Sequence, residues 1–365
     1  MNVAAGPKLA AAVTNAGGIG VIGGVGYSPD MMREQVLPPP PPSLVPGPLL
    51  HNTAQHGTAR HDATDTPQVA ELKSYLHDKN APFGVDLLLP KVGAGARATN
   101  HDYTKGKLDE LIGVVIESGA KLFVSAVGVP PKPIVERLHA AGIVYMNMIG
   151  HPKHVAKCLD AGADIVCAQG SEGGGHTGDV PTSVLVPTVV DLVRGHTSPL
   201  SGRPVQVLAA GGIFNGKSLA AALAMGASAV WVGTRFILAD EAGAPLAHQE
   251  AVRTAGFSDT VRTVIFTGRP LRVRRSAYID HWEAQRRDDI AALTARGIVP
   301  VEHDIEQLDE AGQLDDDTMD NARPFLMGKV AAVVSEKKPA KAIVDEMVAE
   351  AVEQLRQSSQ LLSKL

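Results

Sequence analysis

Proton chemistry needs a titratable side chain held by a deliberate turn, and one stretch supplies both. Ile165-Val-Cys-Ala-Gln-Gly-Ser-Glu-Gly-Gly-Gly-His176-Thr-Gly-Asp179 begins as a β-branched, apolar run, which reads as a buried strand. It breaks into a glycine-rich turn that lifts a single histidine. Gly173, Gly174 and Gly175 leave the backbone free to take φ > 0 and to pass close to a ligand. A histidine just beyond a strand's C-terminal end can accept a proton near neutral pH. An isolated histidine more often sits in a solvent loop. Two further glycine-punctuated strand ends reverse that reading. Val205-Gln-Val-Leu-Ala209 runs into Ala-Gly211-Gly212, and Ala229-Val-Trp231-Val232 into Gly233-Thr234. Such ends offer backbone N–H groups, and at Thr234 a hydroxyl, to an anion. A lone Gly-Gly is weak evidence. The pair on consecutive strands points to a phosphate.

The elements that must position these groups alternate along the chain. Strands are expected at 19–23, 83–89, 122–126, 143–148, 165–168, 205–209 and 229–232, with helices between them at 107–118, 133–141, 151–161, 182–193 and 216–225. Several helices end on Ala-Gly before the next apolar run, as at Ala141-Gly142 and Met225-Gly226, a left-handed C-cap signature. This rhythm means parallel βα units. The strand count is one short of the eight of a (β/α)8 TIM-like barrel, in which active sites sit at the C-terminal strand ends and the last two strands commonly hold a cofactor phosphate. We expect residues 1–240 to form the barrel. Residues 241–365 are expected to form a mostly helical C-terminal extension packed on it, with a strand near 261–266 and helices at 247–255, 329–334 and 340–362. Pro38 to Pro42 opens a proline-rich stretch at about 36–68 that cannot be helix or core strand. It reads as a disordered insertion with no role, in preference to a polyproline ligand.

The bulk composition excludes several classes. Of 365 residues, 44% are hydrophobic and 20% charged, with a net charge of −5. This balance is that of a soluble globular protein without a nucleic-acid footprint. The two cysteines, Cys158 and Cys167, make no disulfide framework. No run is long and apolar enough to span a membrane. Leu9 to Gly24, interrupted by Thr14 and Asn15, reads as helix and strand, not a signal peptide; we therefore expect a cytoplasmic protein. The thirteen histidines are scattered, so no metal site is expected. No Gly-x-Ser-x-Gly elbow, GxGxxG fingerprint or phosphate-binding P-loop appears. Trp231 and Cys167 read as packing, not as a stacking platform and a nucleophile. Nothing in the sequence fixes an oligomeric state.

Ala4-Ala-Gly-Pro-Lys-Leu-Ala-Ala-Ala-Val-Thr-Asn-Ala-Gly-Gly-Ile-Gly20, Gln169-Gly-Ser-Glu-Gly-Gly-Gly-His-Thr-Gly178, Ala209-Ala-Gly-Gly-Ile213 and Val232-Gly-Thr-Arg-Phe236 together resemble the nitronate monooxygenase family, formerly 2-nitropropane dioxygenase, and most closely its fungal-type members. The resemblance implies a TIM barrel binding FMN, which oxidises alkyl nitronates or nitroalkanes with O₂ to a carbonyl compound and nitrite. His176 then matches the catalytic base. Gln169 and Gly174 match flavin contacts. Gly212, with Gly233 and Thr234, matches the phosphate cradle, with Trp231 and Val232 leading into it; Gly211 is assigned to the same cofactor contact from its place at the strand end. Asp86 stands where many relatives have an asparagine near the flavin ring, which implies a negative charge there that disfavours anionic flavin. Family members usually begin with a strand ending in a Pro-Met-Ala-like turn. Met1 falls about where that methionine stands, so Met1 and Asn2 are assigned to the flavin contact and the barrel is expected to lack its first strand. Related barrels share these motifs, so an FMN-dependent NAD(P)H enoyl reductase is the alternative enzyme. An inactive, flavin-free barrel that recruits a partner through its proline run is the non-enzymatic one.

Overall fold

Seven short strands, rich in Val, Ile, Leu and Ala, pair in parallel: β1 (Gly20–Gly23), β2 (Phe83–Leu88), β3 (Leu122–Ala126), β4 (Val144–Ile149), β5 (Ile165–Gln169), then, after the two-residue β6 (Gly175–His176), β7 (Gln206–Ala210) and β8 (Ala229–Trp231). The computed structural model describes residues 4–36, 71–89 and 98–361. Met1, Asn2 and nearly all of the proline-rich stretch lie outside the described residues. The sheet order is β1-β2-β3-β4-β5-β7-β8. Its register, for example Ile22↔Val85, Val85↔Phe123 and Met148↔Cys167, brings all the C-terminal strand ends to one side. Among the described residues no ladder joins β8 to β1. Val21 of β1 and Val230 of β8 nevertheless line one cavity, so the sheet curls round upon itself. The architecture is a TIM-like βα barrel.

Alternation along each strand sorts side chains into two cores. Leu122, Val124, Met146, Cys167 and Ala210 form the inner cluster, with Trp231 packed against it. Phe123, Tyr145, Val166 and Ala209 face outward into the larger core under the helices. Those helices cover the sheet at Leu108–Glu117, Lys132–Ala140, Val155–Asp160, Thr182–Val193 and Gly216–Ala224. The Ala-Gly junctions act as stops. At Gly142 (φ +71) the Gly142 N–H reaches the His139 carbonyl at 2.9 Å and Ile143 N–H the Leu138 carbonyl at 3.0 Å, which satisfies carbonyls that a helix end would leave open.

A cap follows the barrel. It contains β9 (Thr260–Thr263), β10 (Leu271–Arg274), helices Ala277–Gln285, Arg287–Ala295, Pro300–Glu310 and Asp316–Asn321, and its own core around Ile265, Val273, Ile279 and Trp282. The four helices were not legible in the sequence. Residues 329–334, read there as helix, form a 3₁₀ turn at Lys329–Val333, whose first N–H donates to the Glu172 carbonyl at 2.9 Å. The helix Ala340–Ser359 returns to the barrel, where Glu350 accepts from the Gly216 N–H at 2.7 Å. Cap and barrel are joined by sheet pairing: β6 pairs antiparallel with β10, Leu271 opposite His176 and Arg272 opposite Gly175.

One buried carboxylate holds the outer layer. Asp164 accepts from the Tyr145 N–H at 2.7 Å and from the Ser198 hydroxyl at 2.6 Å, with His139 Nε2 at 2.9 Å. Removing it strands three groups in a site that is 5% exposed. Asp164→Ala should therefore lose about 3 kcal/mol of stability in chemical denaturation. A loss of under about 1 kcal/mol would mean that the network carries little.

Candidate active site

His176 lines a single cavity of about 1500 Å³. Asp86 from β2, Gln169 at the end of β5 and Gly174 from the loop after it, Gly211 and Gly212 after β7, Trp231 at the end of β8, and Val232, Gly233 and Thr234 after it all line it. Every sequence-derived candidate within the described residues thus converges on one place. Met1 and Asn2 lie outside the described residues.

The glycines serve different purposes. Of the three before His176, only Gly175 is left-handed (φ +69). Gly174 is needed for room, because a Cβ there would lie 2.5 Å from the Met327 carbonyl carbon and 2.6 Å from the Gly328 nitrogen. Gly211 and Gly212 both take φ +80, a conformation that L side chains rarely adopt. A glycine turn after a strand can present backbone N–H groups to an anion. The neighbouring helix end is already satisfied. Glu172 accepts from the Thr182 N–H at 3.1 Å and from its hydroxyl at 2.8 Å, where the helix Thr182–Val193 begins. A carboxylate there complements the helix dipole and leaves the Gly211–Gly212 and Gly233–Thr234 ends for a ligand's anion. Thr234 Oγ1 accepts from Gly328 N–H at 2.9 Å, so its own proton remains for donation.

The titratable groups are set against their usual charges. Burial, and then the charge of Arg269, pulls the His176 imidazole down to about 4. It is neutral near pH 7 and able to accept a proton. Burial pushes the Asp86 carboxyl up to about 6, and its Oδ1 is enclosed without a hydrogen-bond partner among the described residues. An orphaned buried oxygen in a cavity wall fits a site that a polar ligand completes. Burial, and then the Asp86 charge, raises the Cys167 thiol, in keeping with packing and not with a nucleophile. Among the described residues no cluster of His, Cys, Asp and Glu could hold a metal ion, and no helix is long and apolar enough to cross a membrane.

Several cavity residues were not found by reading the sequence. Thr267 and Arg269 come from the turn between β9 and β10; Thr267 Oγ1 lies 3.2 Å from His176 Nε2. Arg269 Nε donates to Asn100 Oδ1 at 2.6 Å. Val127, just after β3, has φ +66, an outlying conformation for a β-branched residue of the kind that collects at functional sites. The only local sequence signal for any of these was Thr-Gly-Arg-Pro, an ordinary turn composition.

A barrel whose last strand ends present an anion cradle beside a half-buried, uncharged histidine is the frame of a cofactor-dependent oxidoreductase. Comparison with known proteins carries this further. The nitronate monooxygenase family profile matches residues 1–350, and the chain belongs to that family of flavin oxidoreductases. It is 34% identical over 270 residues to the nitronate monooxygenase of Pseudomonas aeruginosa, covering 73% of this chain and 72% of the relative. It is 28% identical to the Neurospora crassa nitronate monooxygenase over 98% of this chain and 88% of the other. Among solved structures, FabK from Thermotoga maritima superposes with a TM-score of 0.69 at 26% identity, covering 99% of this chain and 93% of that one.

The shift at Asp86 has a measurable sign. A carboxyl whose folded pKa exceeds its unfolded value near 3.8 binds its proton more tightly when folded. Its stabilisation is therefore complete below the unfolded value and is lost as pH rises through about 6. His176, shifted downward, behaves oppositely: its contribution is present above its ordinary pKa and is lost as pH falls through about 4. Asp86→Asn should therefore gain stability relative to the parent as pH rises from about 4 to about 7, by roughly 3 kcal/mol in total. A difference that does not change with pH across a series of denaturation curves would refute the shifted carboxyl.

Proposed function

We propose that the chain is an FMN-dependent enzyme that oxidises alkyl nitronates, and nitroalkanes after proton removal, with O₂ to a carbonyl compound and nitrite. The carrying observation is that His176, the Gly211–Gly212 end and the Gly233–Thr234 end line one cavity, in a chain of the nitronate monooxygenase family.

The residues fit the group. The left-handed Gly211 and Gly212, with Gly233 and the Thr234 hydroxyl, would hold the FMN phosphate, and Asp86, Gln169 and Gly174 would lie along the ring system. Bound there, FMN supplies the electron transfer between the substrate and O₂. The protein's own part is binding and proton handling. With a neutral nitroalkane, uncharged His176 takes the proton from the carbon bearing the nitro group, and the C–H electron pair delocalises onto the nitro oxygens. The imidazolium so formed lies beside the new anion. With a preformed nitronate no proton need be taken. Trp231, Phe266 and Leu326 add apolar surface to the cavity lining that would accept an alkyl substituent.

Heat release and mass analysis of the bound flavin should give FMN. His176→Asn should lower turnover of neutral nitroethane by roughly 10² or more, since a positioned base contributes on that order, and should leave turnover of its nitronate far less affected. Nitrite formation with both substrates reads the result. Equal small effects on the two would remove His176 from the role of base. The barrel's likeness to FabK keeps an NAD(P)H-dependent reductase in view, and anaerobic bleaching of the flavin by NAD(P)H alone would favour it.

A further inference from the structure

The hydrogen bonds around Thr267 determine which nitrogen of His176 carries the proton. Thr267 Oγ1 has three neighbours: His176 Nε2 at 3.2 Å, the Arg269 N–H at 3.3 Å and the Arg269 carbonyl at 3.2 Å. A hydroxyl has one proton to give and two lone pairs to receive. The Arg269 N–H can only donate and the Arg269 carbonyl can only accept. The Thr267 proton therefore goes to that carbonyl, one lone pair takes the Arg269 N–H, and the second remains for His176. All four groups are satisfied together only if His176 Nε2 is an N–H donor. If Thr267 instead donated to Nε2, it would abandon the Arg269 carbonyl.

The surroundings hold this arrangement in place. His176 and Leu271 are ladder partners, and Thr177 N–H donates to the Pro270 carbonyl at 3.3 Å, so the imidazole and the Thr267–Arg269 turn cannot drift apart independently. The Arg269 guanidinium is tethered to Asn100 and to the Val127 carbonyl. Nδ1 has no hydrogen-bond partner among the described residues and is not enclosed as an orphan, whereas Asp86 Oδ1 is. His176 lines the cavity, so Nδ1 is the nitrogen that opens to it.

We propose that Thr267 is a positioning residue that locks neutral His176 in the Nε2–H form, leaving the Nδ1 lone pair as the atom that receives the substrate proton. The inference rests on the reading of His176 as the base, and it extends that reading to a particular nitrogen and a particular partner. In the step itself the C–H bond breaks, an Nδ1–H bond forms, and the electron pair moves onto the nitro group. The imidazolium then carries both protons, with Nε2–H still donating to Thr267. Orientation of a base through its second nitrogen is a general device.

The direct test is ¹⁵N–¹H correlation of histidine-labelled, FMN-loaded protein near pH 7, with the His176 signals assigned by their loss in His176→Asn. The parent should show a protonated Nε2 and an unprotonated Nδ1. Thr267→Val, which keeps the shape and removes the hydroxyl, should give a mixture of tautomers. It should also lower kcat for neutral nitroethane by roughly 10- to 100-fold while sparing the nitronate. Thr267→Ser should restore both tautomer and rate. An Nδ1–H form in the parent, or an unchanged tautomer in Thr267→Val, would overturn the proposal. Because the spectrum is read without turnover, a correct tautomer in a protein that oxidises no nitro compound would reject the proposed activity and leave the assignment standing.

Discussion

Two residues of extended chain carry more of this structure than their number suggests. The pairing of Gly175–His176 with Leu271–Arg272 is the point where the barrel's most important loop becomes part of the cap's sheet. A loop after a barrel strand is ordinarily free to move, because only its own turn restrains it. Here the histidine's backbone is fixed by a ladder and its ring by Thr267. The cap thus supplies the rigid element on which the barrel's titratable group stands, a requirement for any base that must meet a carbon-bound proton in a defined direction.

The charges inside the cavity follow one logic. Four of its ionisable groups divide into two held by hydrogen bonds from the protein and two shifted by burial. Glu172 is spent on the Thr182 helix start, and Arg269 on Asn100. His176 and Asp86 are shifted in opposite directions, both toward the uncharged form. A cavity so arranged can receive an anion or a neutral nitro compound without first breaking an internal ion pair. Negative charge is drawn there by the Arg269 guanidinium, whose only change on bonding neutral Asn100 is in orientation, and by the backbone at the β7 and β8 ends.

Much of the barrel was legible because its code is local. Val205 to Ala209 and Ile165 to Ala168 announce strands by composition, and Gly211-Gly212 and Gly233-Thr234 announce where they stop. The same locality explains what stayed hidden. Gly175–His176 has no apolar run and becomes a strand only because Leu271 lies opposite. The contact between His176 and Thr267 spans 91 positions and leaves no periodic trace. The helices between Ala277 and Asn321 carry many charges on short segments, and their burial depends on a core centred on Trp282 that forms only when the cap is assembled. Of Gly173 to Gly175, only Gly175 needs an unusual dihedral; Gly174 is required for backbone clearance, and Gly173 faces only the movable Gln169 side chain.

The close approach of Gly174 to Met327 and Gly328 leaves backbone lying on backbone, with no side chain on either surface to absorb a change. Gly328 is equally confined, between the Glu172 carbonyl and Thr234. Sequence drift on one side of such a seam cannot be accommodated by repacking, only by a matching displacement of the other. Two stretches far apart in the chain are thereby bound to vary together or not at all, and a transplant of either into a foreign barrel would have to carry its counterpart along.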